Sequence, residues 1–526
     1  MGMGSARTRC IAPLSMGIAL ALGAGAVHGA TAKFAGLSRQ EGAIVLRQQL
    51  RALMPPVPKT AATPASLLPV TSCADDGSVG TLRTVVEAAG EGDAIDLSAL
   101  TCSTITLAQG AIPLLLNDVT FVGPGANALA IDGAGSDRVL VHPGYGTLTV
   151  TGLTLRNGAA SVSGYHTIGG GCIASLGYLV LDHSVVRDCR ASAEGVYGGG
   201  IFAYVVTMYT STLSGAVALG QNPNTGTAAF GGGMYTAYVN IVDSTISGNR
   251  AMHDLNDGQR SYDTGGGIFS NFGGSIRSST VADNYSYGFG GGISTFAGVV
   301  AIANSTISGN TAKTLGGGGL DLRVFSGGSI SNSTITANSA PVGGGVNLRG
   351  LPDQFELQSA LIGGNTATGG VGDDFGSERL TTLLGSNNLV VAADANVTLP
   401  GDTLHAAPLL LPLSANGGPT LTHALAPGSP AVDAGNNVAS LVSDQRGAGF
   451  PRVLGAAADI GAFEGVVAPV LPPAPPPVPA PATSGWTLAV LALALTWLGI
   501  RGGRRQASGP GIFTHFSLCS RHSSQR

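Results

Sequence analysis

The sequence predicts an all-β chain wound as a right-handed parallel β-helix of roughly eleven rungs, and three observations carry that reading. First, a glycine triplet followed by a strand-like run recurs seven times, at Gly169–Gly171, Gly198–Gly200, Gly231–Gly233, Gly265–Gly267, Gly290–Gly292, Gly317–Gly319 and Gly343–Gly345. Second, a phrase lies between triplets, clearest as Ser244-Thr245-Ile246-Ser247-Gly248-Asn249 and Ser305-Thr306-Ile307-Ser308-Gly309-Asn310. Its serine returns at Ser244, Ser279, Ser305, Ser333 and Ser359, in steps of 35, 26, 28 and 26, so the unit is about 26 residues with insertions in some copies. Third, Ile241, Ile276, Ile302 and Ile330 lie five residues before Ile246, Val281, Ile307 and Ile335. An odd spacing in one straight strand puts such pairs on opposite faces. Both can face a core only if the chain turns between them, near Asp243, Ser278, Asn304 and Asn332, residue types that tolerate left-handed backbone. Each unit therefore holds two strands meeting at a corner and a third after the triplet.

The elements follow in chain order. Residues 1–32 read as a signal peptide, with Arg7 and Arg9 before an apolar run from Ile11 to Val27 and a small-x-small site at Ala30-Thr31-Ala32. Residues 33–72 form a proline-rich leader. The β-helix occupies 73–397, opened by a helix-like stretch from Gly80 to Ala89 that would cap the open end of the core. Export permits disulfides. Of six cysteines, Cys10 leaves with the signal and Cys519 lies in the tail. Cys73, Cys102, Cys172 and Cys189 allow three connectivities, of which the local one, Cys73 with Cys102 and Cys172 with Cys189, is favoured. Asn249, Asn284, Asn310, Asn338 and Asn365 close successive phrases and are expected to stack as an amide ladder. After Thr398 the register dissolves into a closing segment, 398–464, then a proline linker over 465–481. Residues 482–501 form an apolar run ending in arginine, just long enough for a transmembrane helix, and 502–526 are a basic tail placed inside.

Two stretches carry a resemblance. Cys73-Ala74-Asp75-Asp76-Gly77 through Gly80-Thr81-Leu82-Arg83 and Gly92–Leu97 resembles the opening of bacterial pectate-lyase-like β-helix surface proteins. Asn416-Gly417-Gly418-Pro419-Thr420, Gly428-Ser429-Pro430-Ala431-Val432-Asp433-Ala434-Gly435, Asp444-Gln445-Arg446-Gly447 and Asp459-Ile460-Gly461-Ala462-Phe463-Glu464 are similar to the choice-of-anchor Q domain. Val478-Pro479, Trp486, the apolar run and Arg501, Arg504 and Arg505 resemble an IPTL-type sorting segment, with altered core wording and a longer tail. The resemblance implies display on the cell envelope and names no reaction.

Composition narrows the chemistry. Only 11% of the 526 residues are charged, glycines number 82, and the net charge of −4 includes no basic stripe, so nucleic acid is excluded as a partner. The triplets lack the lysine of a phosphate loop and the helix of a dinucleotide fold. The insertion behind the 35-residue step gathers Arg250, His253, Asp254, Asp257, Arg260 and Asp263, the best local concentration of catalytic residue types. The bland reading, that a long loop must be polar to stay in water, is the stronger one. A second group, Asp182, His183, Arg187 and Asp188, falls on different faces of short strands. Aromatic residues from Tyr197 to Phe296 crowd the middle rungs; many are expected in the core, with outward ones free to stack on sugars. The leading functional expectation is a monomeric, exported, envelope-anchored surface protein for adhesion or glycan binding, with no cofactor. The alternative is a lyase or hydrolase of acidic polysaccharides. By family analogy a lyase would use carboxylates to hold Ca²⁺ against a uronate, and a hydrolase a pair of carboxylates.

Overall fold

The computed structural model describes residues 64–466, apart from 162–166, 222–227, 254–261, 325–326 and 351–354. The stretches expected to form the signal peptide, the transmembrane run and the basic tail lie outside these residues, as do most of the leader and nearly all of the proline linker. Among the described residues no helix is long and apolar enough to cross a membrane.

The chain forms a parallel β-solenoid. Sheet A contains twenty strands, sheet B eleven and sheet C eight. Each strand of sheet B belongs to one turn, so there are about eleven turns. One middle turn shows the plan: Ile268–Ser270 and Gly273–Arg277 lie in sheet A, Thr280–Ala282 in sheet B and Tyr285–Ser286 in sheet C. All four pair in parallel with the turn that follows. The sheet C strand is a fourth element beyond the three expected per unit. It is only two to four residues long in most turns, too short to show a period. In two turns the sheet A strands fuse, as Ile201–Tyr209 and Met234–Val242.

The corner between sheets A and B explains the parity break. Ile241, Ile276, Ile302 and Ile330 are in register in sheet A, and Ile246, Val281, Ile307 and Ile335 in sheet B. All eight are at most 2% exposed. Between them Asp243, Ser278, Asn304 and Asn332 adopt φ of 49°, 49°, 54° and 42°, which turns the chain and restores an inward direction. Burying each such side chain is worth about 2 kcal/mol over leaving it exposed, and repetition on every turn makes one continuous core.

At the N-terminal end the sheet starts earlier than expected. Leu67–Pro69 pairs in parallel with Ala94–Asp96, inside the stretch assigned to the leader. Pro69 is tolerated because an edge strand does not need every N–H. Helix α1, Leu82–Ala88, contributes Leu82 and Val86 to the main apolar cluster. Its Arg83 forms a bidentate pair with Asp75 at 2.9 Å, and that carboxylate also accepts the N–H groups of Ala108 and Gln109.

The closing segment does not extend the stack. It runs back over the outer face of sheet B. Thr280 Oγ1 donates to Leu421 O at 2.6 Å, Thr306 Oγ1 to Gln445 Oε1 at 2.6 Å, and Gln445 Nε2 to Thr280 Oγ1 at 3.0 Å. Two corner amides join in: Asn304 Nδ2 donates to Ser443 O and Asn332 Nδ2 to Asn436 O. Leu361 and Leu389 of sheet B then pack with Leu425, Ala431 and Ile460 in a second apolar cluster. Two ion pairs lie within this segment. Arg446 pairs with Asp444 at 2.6 Å between the rings of Phe450 and Phe463, and Arg452 pairs with Glu464 at 2.8 Å.

Candidate functional site

The polar insertion is only partly described. Asp254, Asp257 and Arg260 lie outside the described residues. The structure brings His253 and Asp263 together at its base: His253 Nδ1 meets Asp263 Oδ2 at 2.7 Å, and Asp263 Oδ1 accepts Ala229 N–H at 2.7 Å. Both side chains are buried, and the imidazole packs edge-on against Tyr287 at 4.3 Å. This pair pins the ends of the insertion to sheet C. Arg250 stands apart, its guanidinium 4.8 Å from the Tyr285 ring. The second group resolves into two exposed neighbour pairs, His183 with Asp182 and Arg187 with Asp188. Among the described residues, no three of His, Cys, Asp or Glu are grouped so as to hold a metal ion.

The asparagines form a continuous hydrogen-bonded column. Asn249 Nδ2 donates to Asn284 Oδ1, Asn284 to Asn310, Asn310 to Asn338 and Asn338 to Asn365, all at 2.8–2.9 Å. The backbone N–H of each donates to the same oxygen at 3.0 Å. The column ends on Asp374 Oδ1. The serines of the phrase make a parallel column at the other corner, in which Ser244 N–H donates to Ser279 Oγ and Ser279 N–H to Ser305 Oγ.

The last five glycine triplets are packed against this amide column, with Gly233, Gly267, Gly292, Gly319 and Gly345 beside Asn249, Asn284, Asn310, Asn338 and Asn365. In Gly265–Gly267 the first glycine has φ of 68°. A Cβ on Gly266 would come within 2.3 Å of Gly291 O, and one on Gly267 within 3.0 Å of Asn284 Cγ. The triplet thus needs glycine three times for three reasons: handedness, backbone approach between turns, and contact with the ladder. The disulfides are Cys73–Cys102 and Cys172–Cys189. The second has a structural counterpart in the ladder. Cys172 N–H donates to Gly200 O, which places Cys172 at the third-glycine position of its turn. Cys189 precedes the sheet C strand as Asn249 and Asn284 do, so the bridge stands where later turns have a glycine against an asparagine.

The corner made by the triplets also sets aromatic columns face to face on the outside of the solenoid. Phe202, Tyr235 and Phe269 are in register and stack with centroids 5.7 and 5.4 Å apart, inclined by 8° and 11°. Tyr197 and Phe230 stack at 5.4 Å on the opposing wall and meet Tyr235 and Phe269 edge-on at 4.8 and 5.2 Å. At one end this furrow opens into a cleft of about 350 Å³ bordered by Arg138, His142, Ser175, Leu176, Tyr197 and Phe202. Further along, the same strand position becomes polar. Asp321 is wholly buried, pairs with Arg349 at 2.6 Å and accepts Asn347 Nδ2 at 3.0 Å. Burial raises its carboxyl above the ordinary range despite Arg349, Asn347 and Ser294. Arg349 in turn lies 3.7 Å over Phe289.

A second aromatic row runs beside the furrow. Tyr178, Tyr204, Tyr238 and Phe272 follow one another with centroids 6.4, 6.4 and 5.2 Å apart. Tyr145 precedes them and Phe296 follows. Tyr145, Tyr204 and Phe296 are 75%, 37% and 44% exposed. The expectation that many middle-rung aromatics fill the core is corrected: the phenylalanines of the main core are Phe121, Phe355 and Phe375, and branched aliphatics supply nearly all the rest. A turn this narrow packs aliphatic side chains inward and leaves the rings outside. Tyr145 and Tyr178 were absent from the aromatic group read in the sequence. Extending the strand register upstream would have found them.

The chain is similar to a solved structure titled "Crystal structure of pectate lyase Pel9A", at 13% identity over 76% of this chain and 97% of that chain, with a TM-score of 0.41. No family model matches the chain. No curated protein matches it.

Proposed function

We propose that this chain is an exported, envelope-anchored β-helix surface protein that binds polysaccharide on the outer face of sheet A. The observation that carries this reading is the row Tyr178, Tyr204, Tyr238 and Phe272, continued by the exposed rings of Tyr145 and Phe296. Aromatic faces in a repeated row suit the apolar faces of sugar rings, and exposed rings on a rigid scaffold lose little freedom on binding. Export is supported by the signal-like N-terminus and by two disulfides, which persist in oxidising compartments. Helix α1 serves in this reading as the end cap, and anchoring is supported by the resemblance of 416–464 and of the C-terminal run to surface-sorting modules.

The test is retention of the whole chain, purified in detergent, on a glycan array and in affinity electrophoresis with polysaccharides. Retention that weakens in a Tyr204→Ala/Tyr238→Ala variant is expected. If no glycan retains the protein, the reading is wrong. Unsaturated products released from uronate polysaccharides would replace it with the lyase reading.

A further inference from the structure

Building on the glycan-binding reading, we propose that the ligand is a neutral, linear polysaccharide of extended β-1,4-linked pyranoses, lying along the solenoid axis with about one sugar per turn. Six rings occupy six successive turns. Tyr145 precedes Thr147–Thr151, Tyr178 opens Tyr178–Asp182, Tyr204 and Tyr238 lie within Ile201–Tyr209 and Met234–Val242, and Phe272 and Phe296 precede Gly273–Arg277 and Val299–Ala303. These strands pair one after the next in parallel. Neighbouring strands are about 4.8 Å apart, so the row spans about 24 Å.

Along the row the ring planes turn by 86° from Tyr178 to Tyr204 and by 83° from Tyr204 to Tyr238, and by 31° from Tyr238 to Phe272. Two turns span about 9.6 Å, close to the disaccharide repeat of an extended β-1,4 chain, in which successive sugars are flipped. An α-1,4 chain coils away from a straight row and meets it only locally.

Next to the row, the aligned outward positions Thr149, Val180, Thr207, Asn240, Ser275 and Ala301 are uncharged. Charge lies further out: Asp182 and Arg277 stand two residues along the same strands, and Asp118 accepts Thr147 N–H at 2.7 Å at the Tyr145 end. Ser275 Oγ donates to Asn240 Oδ1 at 2.7 Å. These groups fit sugar hydroxyls and supply nothing that selects a carboxylate. Two cations border the row: Arg277 ends the strand that follows Phe272, and the Arg323 guanidinium lies 4.9 Å from the Phe296 ring.

The experiment is calorimetric titration of the whole chain in detergent with β-1,4-linked glucose oligomers of two to eight residues. Maltohexaose and a uronate hexamer serve as comparisons. Affinity is expected to climb with length up to six sugars and then level, with the two comparison hexamers at least tenfold weaker. Tyr204→Ala and Tyr238→Ala should each weaken the β-linked hexamer roughly three- to tenfold, with the unfolding midpoint unchanged. Tyr262→Ala, at an exposed ring outside the row, should change nothing. Affinity independent of length, or equal affinity for the α-linked or uronate hexamer, overturns this proposal while leaving polysaccharide binding standing. Failure of every glycan on the array removes both.

Discussion

Asn310 shows how one amide is used completely. Its N–H and Nδ2 both donate to Asn338 Oδ1, and Nδ2 donates again to Val281 O at 2.9 Å. Its own Oδ1 accepts two donors from Asn284. Asn310→Ala would strand several buried groups, and a loss of roughly 2–4 kcal/mol is expected in urea unfolding. His423 makes a different prediction. Its Nδ1–H donates to Leu411 O, and Nε2 accepts from Ser308 Oγ. Burial lowers its pKa despite the Leu411 bond. The unfolded chain therefore takes a proton that the folded one resists, and stability is full above the unfolded value of about 6.5 and falls as pH drops through it. Glu464 acts with the opposite sign, since burial raises its carboxyl and protonation relieves that cost as pH falls. The protection of the Gly461 and Ala462 amides, taken relative to intrinsic exchange at each pH, should fall between about pH 7 and pH 5.5. The fall should shrink in His423→Gln. An unchanged pH slope in that variant would count against His423.

At the scale of elements, the glycine triplet and the disulfide solve one packing problem in two ways. Gly266→Ala places a methyl group against the backbone of the neighbouring turn and should cost a few kcal/mol, about as overpacking does elsewhere. Gly401→Ala, with nothing within 4 Å of its Cβ, should be neutral; the pair is compared by thermal unfolding. Removing Cys172–Cys189 by a double alanine substitution should cost about 3 kcal/mol, judged from its separation of 17 residues. Cys172→Gly with Cys189→Asn should cost less, because that combination occupies the same positions in later turns. Much at this scale was legible. The corner residues, the unit length and the asparagine spacing are local features repeated often enough to read without a structure. The fourth strand was not, because two residues such as Tyr285–Ser286 carry no period.

For the whole molecule, the closing segment is the main addition. Its motif residues hold the segment together and dock it. Gln445 bridges Thr280 and Thr306, more than a hundred residues upstream, while Asp444, Arg446, Arg452 and Glu464 pair among themselves. The threonines of the repeated phrase therefore serve as a docking strip in these turns. Anchoring is tested separately. Deletion of residues 482–526 should move the protein from the cell fraction to the medium, assayed by immunoblot, and retention with the cells would contradict the anchor.

The sequence by itself determined the rung. Left-handed corners, close-packed glycines and stacking amides depend on a few adjacent residues, and each repeat states them again. Tertiary structure decided which outward residues share a surface. Rings 26 to 34 residues apart, as in Tyr178, Tyr204, Tyr238 and Phe272, become neighbours only when uneven insertions are absorbed between turns. The pairing of His253 with Asp263 and the return of the closing segment over sheet B also depend on contacts between distant parts of the chain. No local pattern encodes them, because their geometry exists only after the turns have stacked.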